Sequence, residues 1–322
     1  MQSTASNLSY VLITPARNEA QFIEATLQSV TQQTVLPAKW VIVNDGSTDD
    51  TGAIAARYAS KFAWIEVIDL PRRRERDFAA KVNAFKAGQE RLAGVDYQII
   101  GNLDADVSLD PDHFEFLLKR LQEDPGLGVA GTVFQEPGYN SATDSFEGQT
   151  YVSGQCQIFR RDCFEMIGGY VPSKAGGIDW MAVTTARMMG WGTRSFREKS
   201  FYHHRILGTA NHSRIGKSFA YGKKDYYIGG HPLWEVVRCT YQMTKPPYLI
   251  GGTMLFAGYF SALIRGEKRV VSDDLMRFHR REQMKKLTAI LSSLVKFKKI
   301  DSFGLLPVAR AASPGQRPVD RQ

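Results

Sequence analysis

Two carboxylates separated by a single residue, Asp104 and Asp106, follow the apolar run Tyr97-Gln98-Ile99-Ile100 in the stretch Gly101-Asn102-Leu103-Asp104-Ala105-Asp106. In an extended segment residues i and i+2 point to the same side. Both aspartates can therefore converge on one hard divalent cation, and a cation held by two carboxylates can in turn grip a diphosphate. The plainer reading is a pair of solvated, turn-forming aspartates. The elements that carry the pair must decide between the two.

Those elements alternate. Tyr10–Ile13 is a β-branched, apolar strand ended by Pro15, and residues 19–32 carry Phe22, Ile23, Leu27 and Val30 at helical spacing. Trp40–Val43 predicts a second buried strand, followed by Asn44-Asp45-Gly46-Ser47-Thr48-Asp49 and a helix through Tyr58 that Ser47, Thr48 or Asp49 would cap. A third strand over Trp64–Ile68, a helix over 78–92 and a fourth strand over Tyr97–Leu103 come next. Asp110-Pro111 is expected to open a helix reaching about Gln122, with Asp110 as cap and Pro111 in the first helical position. This order predicts an α/β fold with a doubly wound, mostly parallel sheet flanked by helices, whose ligand crevice lies at the carboxyl ends of the strands. Asp104 and Asp106 stand at such an end. A dinucleotide-binding dehydrogenase would need a Gly-x-Gly-x-x-Gly turn after the first strand. The turn here, Thr14-Pro15-Ala16-Arg17-Asn18-Glu19, has no glycine. The glycine-rich, arginine-bearing loop of a sugar-nucleotide pyrophosphorylase is missing as well.

Bulk composition narrows the class without choosing a substrate. At 322 residues, 43% hydrophobic and 23% charged, the chain is ordinary globular protein with room for one large domain or two smaller ones. Cys156, Cys163 and Cys239 lack metal-ligand spacing and fit a reducing compartment. The polar start Gln2–Asn7 predicts no secretory signal peptide. A net charge of +8 gathers in Arg72-Arg73-Arg74 with Arg76, and again between Arg265 and Lys299. Positive fields attract nucleotides, nucleic acids and anionic lipids alike. No aromatic-and-basic motif accompanies them, so nucleic acid is not an expected partner.

Four segments in order carry a more specific signal: Ile13–Glu19 after the first strand, Val43–Asp49 after the second, Leu103–Asp106 after the fourth, and Gly176-Gly177-Ile178-Asp179-Trp180 with Gly190-Trp191 beyond. Together they resemble glycosyltransferase family 2, the inverting, GT-A-fold enzymes that use nucleotide-diphosphate sugars. The resemblance implies that Pro15, Ala16, Arg17 and Glu19 line the base and ribose pocket. Asp45 would accept a hydrogen bond from the base, uracil being the usual partner, which favours a UDP-sugar. Arg76, Asp77 or Lys81 would make a base or phosphate contact. Asp104 would reach the ribose or a metal-bound water, and Asp106 would coordinate Mn²⁺ or Mg²⁺ on the diphosphate. Asp179 would be the catalytic base. The family commonly has an acidic pair there, whereas this chain has Ile178-Asp179, which puts acceptor orientation in question more than the base. After a strand over Thr193–Phe196, His203-His204-Arg205 would approach the metal or diphosphate, with His204 the favoured metal ligand and His203, Arg205 and Trp180 as phosphate or acceptor contacts. His113 and His279 read as surface helix positions, and Gln135–Tyr151 as the loop facing the acceptor.

Past residue 205 the pattern changes. Pro247–Ile264 has no charged residue but would reach only ~27 Å as a helix, short for a bilayer, so a core or interfacial hairpin is expected. Residues 273–299 form an amphipathic pattern, with Met284, Leu287, Leu291 and Leu294 on one face and Arg280, Arg281, Lys285 and Lys286 on the other. Such a helix suits an anionic membrane surface. The expected organisation is a donor-binding and catalytic domain over 8–205, a membrane-contacting helical extension over 206–300 and a disordered tail over 311–322. The expected protein is a metal-dependent transferase, peripheral on the cytoplasmic face of the membrane, acting on a polyprenyl-linked glycan. The alternatives are a soluble transferase on a small molecule or protein, and a silent sugar-nucleotide or membrane-surface binding module.

Overall fold

A computed structural model describes residues 8–72, 78–144, 147–173, 175–205, 214–297 and 304. The expectations for Arg73, Arg74, Arg76, Asp77, Lys298-Lys299 and the tail 311–322 fall outside these residues. The first half runs β1 (Tyr10–Ala16), α1 (Ile23–Thr31), β2 (Lys39–Asp45), α2 (Thr51–Ala59), β3 (Ile65–Leu70), α3 (Phe78–Glu90), β4 (Ile99–Leu103), β5 (Val107–Ser108) and α4 (His113–Glu123). Then come β6 (Leu127–Glu136), β7 (Tyr139–Asn140), α5 (Ser141–Asp144), β8 (Cys156–Arg160), α6 (Arg161–Met166), α7 (Ile178–Met188) and β9 (Gly192–His203). Four helices follow: α8 (Arg214–Tyr227), α9 (Pro232–Met243), α10 (Ile250–Ile264) and α11 (Asp273–Val295).

The strands form one nine-stranded sheet in the order β3-β2-β1-β4-β8-β6-β9-β5, with β7 on β6. The half from β3 to β4 is parallel. Strand β8 enters antiparallel to β4, and β6 then pairs antiparallel with β8 and parallel with β9. Because side chains alternate along a strand, β1 sends Tyr10 and Leu12 to one face and Val11 and Ile13 to the other. The first face is covered by Ile23 and Leu27 of α1, Ile54 of α2 and Phe114 of α4; the second by Val82 of α3, Phe164 of α6 and Trp180 of α7. Strands buried on both faces are why their sequences read as continuous apolar runs.

Helix ends differ from expectation by a turn or less. The cap residue of α2 is Asp50, which makes no side-chain cap hydrogen bond, and not Ser47, Thr48 or Asp49; Asp49 Oδ1, one residue earlier, accepts from the Thr51 backbone N–H and hydroxyl. Helix α4 opens at His113, not at Pro111, with Asp112 as its cap residue; the Asp110 carbonyl instead accepts from Gln33 Nε2 at 2.7 Å. His113 is not on the surface. It is fully buried, edge-on to Phe114 and Phe201, and desolvation pushes its pKa down to about 3.

The last four helices pack on one another and on α7. Gly222 of α8 lies against Leu255 and Tyr259 of α10, and Gly258 against Phe219, so the two backbones approach too closely for larger side chains. Helix α10 has 15 residues, and no helix among the described residues is long and apolar enough to cross a membrane. The α11 pattern is only partly as expected. His279 is buried edge-on against Trp180 at 4.5 Å, and Glu282 pairs with Arg187 of α7 at 2.8 Å. Arg280 donates to the Gly229 carbonyl and Lys286 to that of Glu147, so the basic face is split, with Arg281 and Lys285 left exposed. The cause is spacing: positions 279, 283, 286 and 287 share the inward stripe of a 3.6-residue helix.

Candidate active site

Strands β1, β2 and β4 end together, and their carboxyl ends bring the expected residues into one crevice, as the reversal of strand order between β1 and β4 predicts. Pro15 and Ala16 close β1 beside Val43 and Asn44 of β2, and Asp45, buried, closes β2. Arg17 is half-buried in the turn, and Glu19, nearly buried, donates its backbone N–H to Thr51 Oγ1 at 2.8 Å. The Glu19 carboxylate holds Arg205, 186 residues away in sequence.

Asp104 and Asp106 face different partners. Lys81, from α3, donates to Asp104 Oδ1 at 2.5 Å, and Asn102 Nδ2 reaches the same oxygen at 3.1 Å. Burial raises the Asp104 carboxyl above the usual carboxylate range against the pull of Lys81, and the neighbouring Asp106 adds to the rise. Asp106 Oδ2 lies 3.3 Å from His203 Nε2 and 3.4 Å from Arg205 Nε. Burial would raise this carboxyl too, but the His203 hydrogen bond and charge, with Arg205, hold it low. Against its own burial, the Asp106 and Glu136 carboxylates lift His203 to about 9, so it is an imidazolium at neutral pH. Lys81 is raised, burial notwithstanding, by Asp104 first and then by Asp179 and Asp106. One ammonium thus feels all three carboxylates.

The His pair resolves by alternation, since neighbours at a strand end point opposite ways. His203 faces Asp106. His204, the favoured metal ligand from sequence, instead hydrogen-bonds Ser108 Oγ at 2.7 Å and stacks on Phe22 at 5.8 Å. Burial lowers its pKa, which keeps it neutral. Trp180 is no open contact either: it is 4% exposed and packed on His279.

Helix α7 begins after Gly177, whose φ of 75° sets the left-handed turn into it, and places Asp179 in the first turn rather than at the cap. Tyr151 donates its hydroxyl to Asp179 Oδ2 at 2.6 Å. Burial would raise the Asp179 carboxyl, yet it is lowered by Lys224 of α8 first, then by Tyr151, the Trp180 backbone N–H and Lys81. Gly154 passes so close that a Cβ there would come within 2.7 Å of Asp179 Cβ, and its carbonyl accepts from Asn102 Nδ2 at 2.5 Å. The sequence singles out Asp179 but not these neighbours. Tyr151 lies within the loop expected to face the acceptor, whereas Lys224 and Gly154 carry no signal because nothing local links them to Asp179.

A divalent cation fits the donor set. Asp104 Oδ2 and Asp106 Oδ1 have no hydrogen bond or ion pair among the described residues, leaving one carboxylate oxygen each. Among the described residues no group of three or more His, Cys, Asp or Glu is spaced to hold a metal ion, so substrate phosphates would complete the coordination.

Residues 11–145 match the family model for glycosyl transferase family 2. The chain is similar to the glycosyltransferase AglE of Haloferax volcanii, 27% identical over 173 residues, covering 52% of this chain and 53% of that one. It is also similar to the poly-beta-1,6-N-acetyl-D-glucosamine synthase of Staphylococcus aureus, 32% identical over 112 residues, covering 35% of this chain and 25% of the synthase. It thus spans about half the length of the first and a quarter of the second. Among solved structures, the mannosyltransferase PcManGT from Pyrobaculum calidifontis, in complex with GDP-Man and Mn²⁺, aligns with a TM-score of 0.51 at 18% identity, over 92% of this chain and 77% of that one. The S. aureus TarS 1–349 complex with UDP-GlcNAc aligns at 0.52 and 14% identity, over 92% and 89%. At these identities the likeness shows the fold, an α/β, GT-A-like sheet with its helices. The family match covers Asp45, Lys81, Asp104 and Asp106 and stops before Asp179, His203 and Arg205. Over its segment 11–145, the chain is thus similar to glycosyl transferase family 2.

Proposed function

We propose that the protein is an inverting, metal-dependent glycosyltransferase that moves a sugar from a nucleoside-diphosphate sugar, UDP-linked in the favoured case, to a hydroxyl of a lipid-linked glycan. The observation that carries this reading is the gathering of Asp104, Asp106 and Asp179 around Lys81 at the carboxyl ends of the strands. In this reading residues 8–205 bind the donor and supply the base, and residues 206–300 support the acceptor side at the cytoplasmic face of a membrane.

The turn Pro15–Glu19 and Asp45 would cradle the nucleoside, with Asp45 accepting from the base. Asp104 Oδ2 and Asp106 Oδ1 would hold Mn²⁺ or Mg²⁺, which supplies charge neutralisation for the departing nucleoside diphosphate. Lys81, Arg205 and protonated His203 add positive groups on the same side, and Arg205 Nε, ion-paired with Asp106 at 3.4 Å but without a hydrogen bond, would turn a donor to a phosphate oxygen. Asp179, ionised because its pKa is lowered, takes the proton of the acceptor hydroxyl. The acceptor oxygen then bonds to the anomeric carbon as the bond from that carbon to the diphosphate oxygen breaks, and the electron pair leaves with the nucleoside diphosphate. Tyr151 occupies Asp179 Oδ2, which leaves the other oxygen to receive the proton.

Calorimetric titration with UDP, GDP, dTDP and CDP, with and without Mn²⁺, tests the donor half of this proposal. One nucleotide is expected to bind in a metal-dependent manner, and Asp106→Ala is expected to abolish that binding. Folded protein that binds none of the four would overturn it.

A further inference from the structure

Helices α8 and α10 run parallel: Phe219 meets Gly258, and further along Tyr226 meets Tyr259 and Tyr227 reaches Glu267. Helix α9 runs against them, with Cys239 and Met243 beside Gly252. The start of α8, the end of α9 and the start of α10 therefore meet at one end of the bundle. Three consecutive apolar residues are exposed there: Tyr248 at 66%, Leu249 at 67% and Ile250 at 48%. Leu249 also holds φ at 59° and ψ at −48° in a γ-turn closed by the Ile250 N–H on the Tyr248 carbonyl at 2.6 Å, a strained conformation for a branched apolar residue. An exposed leucine held in a strained turn is a costly choice for folding alone.

Charge at this end has one sign. Segments 214–224 and 236–266 contain no Asp or Glu, and Lys217 and Lys245 flank the apolar tip. Tyr241 and Tyr248 supply the amphipathic rings that favour a lipid–water interface.

We infer that the α8–α9–α10 end is the surface that docks on an anionic lipid bilayer, with Tyr248, Leu249 and Ile250 entering the interface. A second copy of the chain fits less well, because a two-fold contact would set two cationic tips against each other. This deepens the proposal above and rests on it only for the acceptor. Helix α8 connects the tip to the base: Lys217 to Lys224 is seven residues, or roughly 10 Å along the helix, and the Lys224 charge acts on Asp179. Helix α8 thus links the docking tip to the proposed base across about two turns.

Co-sedimentation of the full chain with vesicles tests the surface. Binding is expected to vesicles of mixed phosphatidylcholine and phosphatidylglycerol, to weaken with salt, and to be slight with phosphatidylcholine alone. Leu249→Asp is expected to cut partitioning by roughly tenfold or more. Leu291→Asp, at an exposed position of α11, is expected to leave it unchanged. Metal-dependent nucleotide binding and the thermal midpoint are read on the same samples, so failure of the donor reading is seen separately. No binding of wild type to anionic vesicles, equal loss in both variants, or an unchanged Leu249→Asp would overturn the inference. So would a dimer in light scattering that Leu249→Asp converts to monomer without any vesicle binding.

Discussion

Two corners of the crevice handle a buried carboxylate in different ways. At Asp106 the counter-charges come from the sheet itself: His203 at the end of β9 and Arg205 just beyond it, with Glu19 from the β1 turn completing the chain of contacts. At Asp179 the counter-charge comes from outside the sheet, from Lys224 on α8, while a neutral phenol from another loop fixes one oxygen. The first corner is cationic enough to receive a diphosphate. The second leaves a carboxylate ionised, oriented and only lightly encumbered, as a base requires. In the proposed reading binding and proton transfer are thus separable, and that separation can be attacked residue by residue.

Asp179→Asn should have the largest effect. It is expected to cut turnover by ~10²–10⁴ while nucleoside-diphosphate binding stays intact; turnover assay and calorimetry on one preparation check both. Parallel loss of binding would merge the two corners. Asp106→Ala is expected to do the reverse, removing metal-dependent binding, and stripping the wild type with EDTA should mimic it, at a cost of several kcal/mol.

Smaller changes sharpen the contrast. Tyr151→Phe removes a hydrogen bond to a charged group, worth ~1.5–3 kcal/mol. Since Tyr151 and Lys224 both lower the Asp179 pKa, its loss should raise that pKa and move the acid limb of the rate–pH profile upward. An unmoved limb would reduce Tyr151 to packing. The smallest effect should lie away from both corners. Burial, with Asp225 nearby, raises Glu235 of α9 to about 8 from an ordinary 4.5. Between those values the folded chain keeps a proton that the unfolded chain has lost, so this group's contribution makes stability fall as pH rises through the window. Glu235→Gln should flatten that slope, raising the thermal midpoint by a few degrees more at pH 8 than at pH 5.

The legible parts of the sequence were those in which one segment does the work. Strand runs such as Trp40–Val43 announced themselves because both faces are buried, and Asp104-Ala105-Asp106 because strand geometry alone aligns its carboxylates. His203 and His204 could not be told apart until the end of β9 fixed which ring turned inward. His113 and His279 misled because a lone imidazole in a helix looks solvated, while aromatic neighbours from distant segments bury both. Tyr151, Lys224 and Gly154 join Asp179 only in three dimensions, across 28 residues in the case of the tyrosine. Sequence spacing holds no record of such an encounter.

Gly154 deserves to be seen as a spacer of fixed thickness. One side of it takes a hydrogen bond from Asn102, whose amide also touches Asp104, and the other lies against the carboxylate of Asp179. Donor and acceptor corners are therefore gauged from the same peptide, with no slack for a methyl group. Enlarging it to alanine would leave every catalytic group present yet out of register, and a misplacement of ~1 Å can cost about a hundredfold in rate. The distance between the two proposed substrates is, in that sense, written in an atom the chain leaves out.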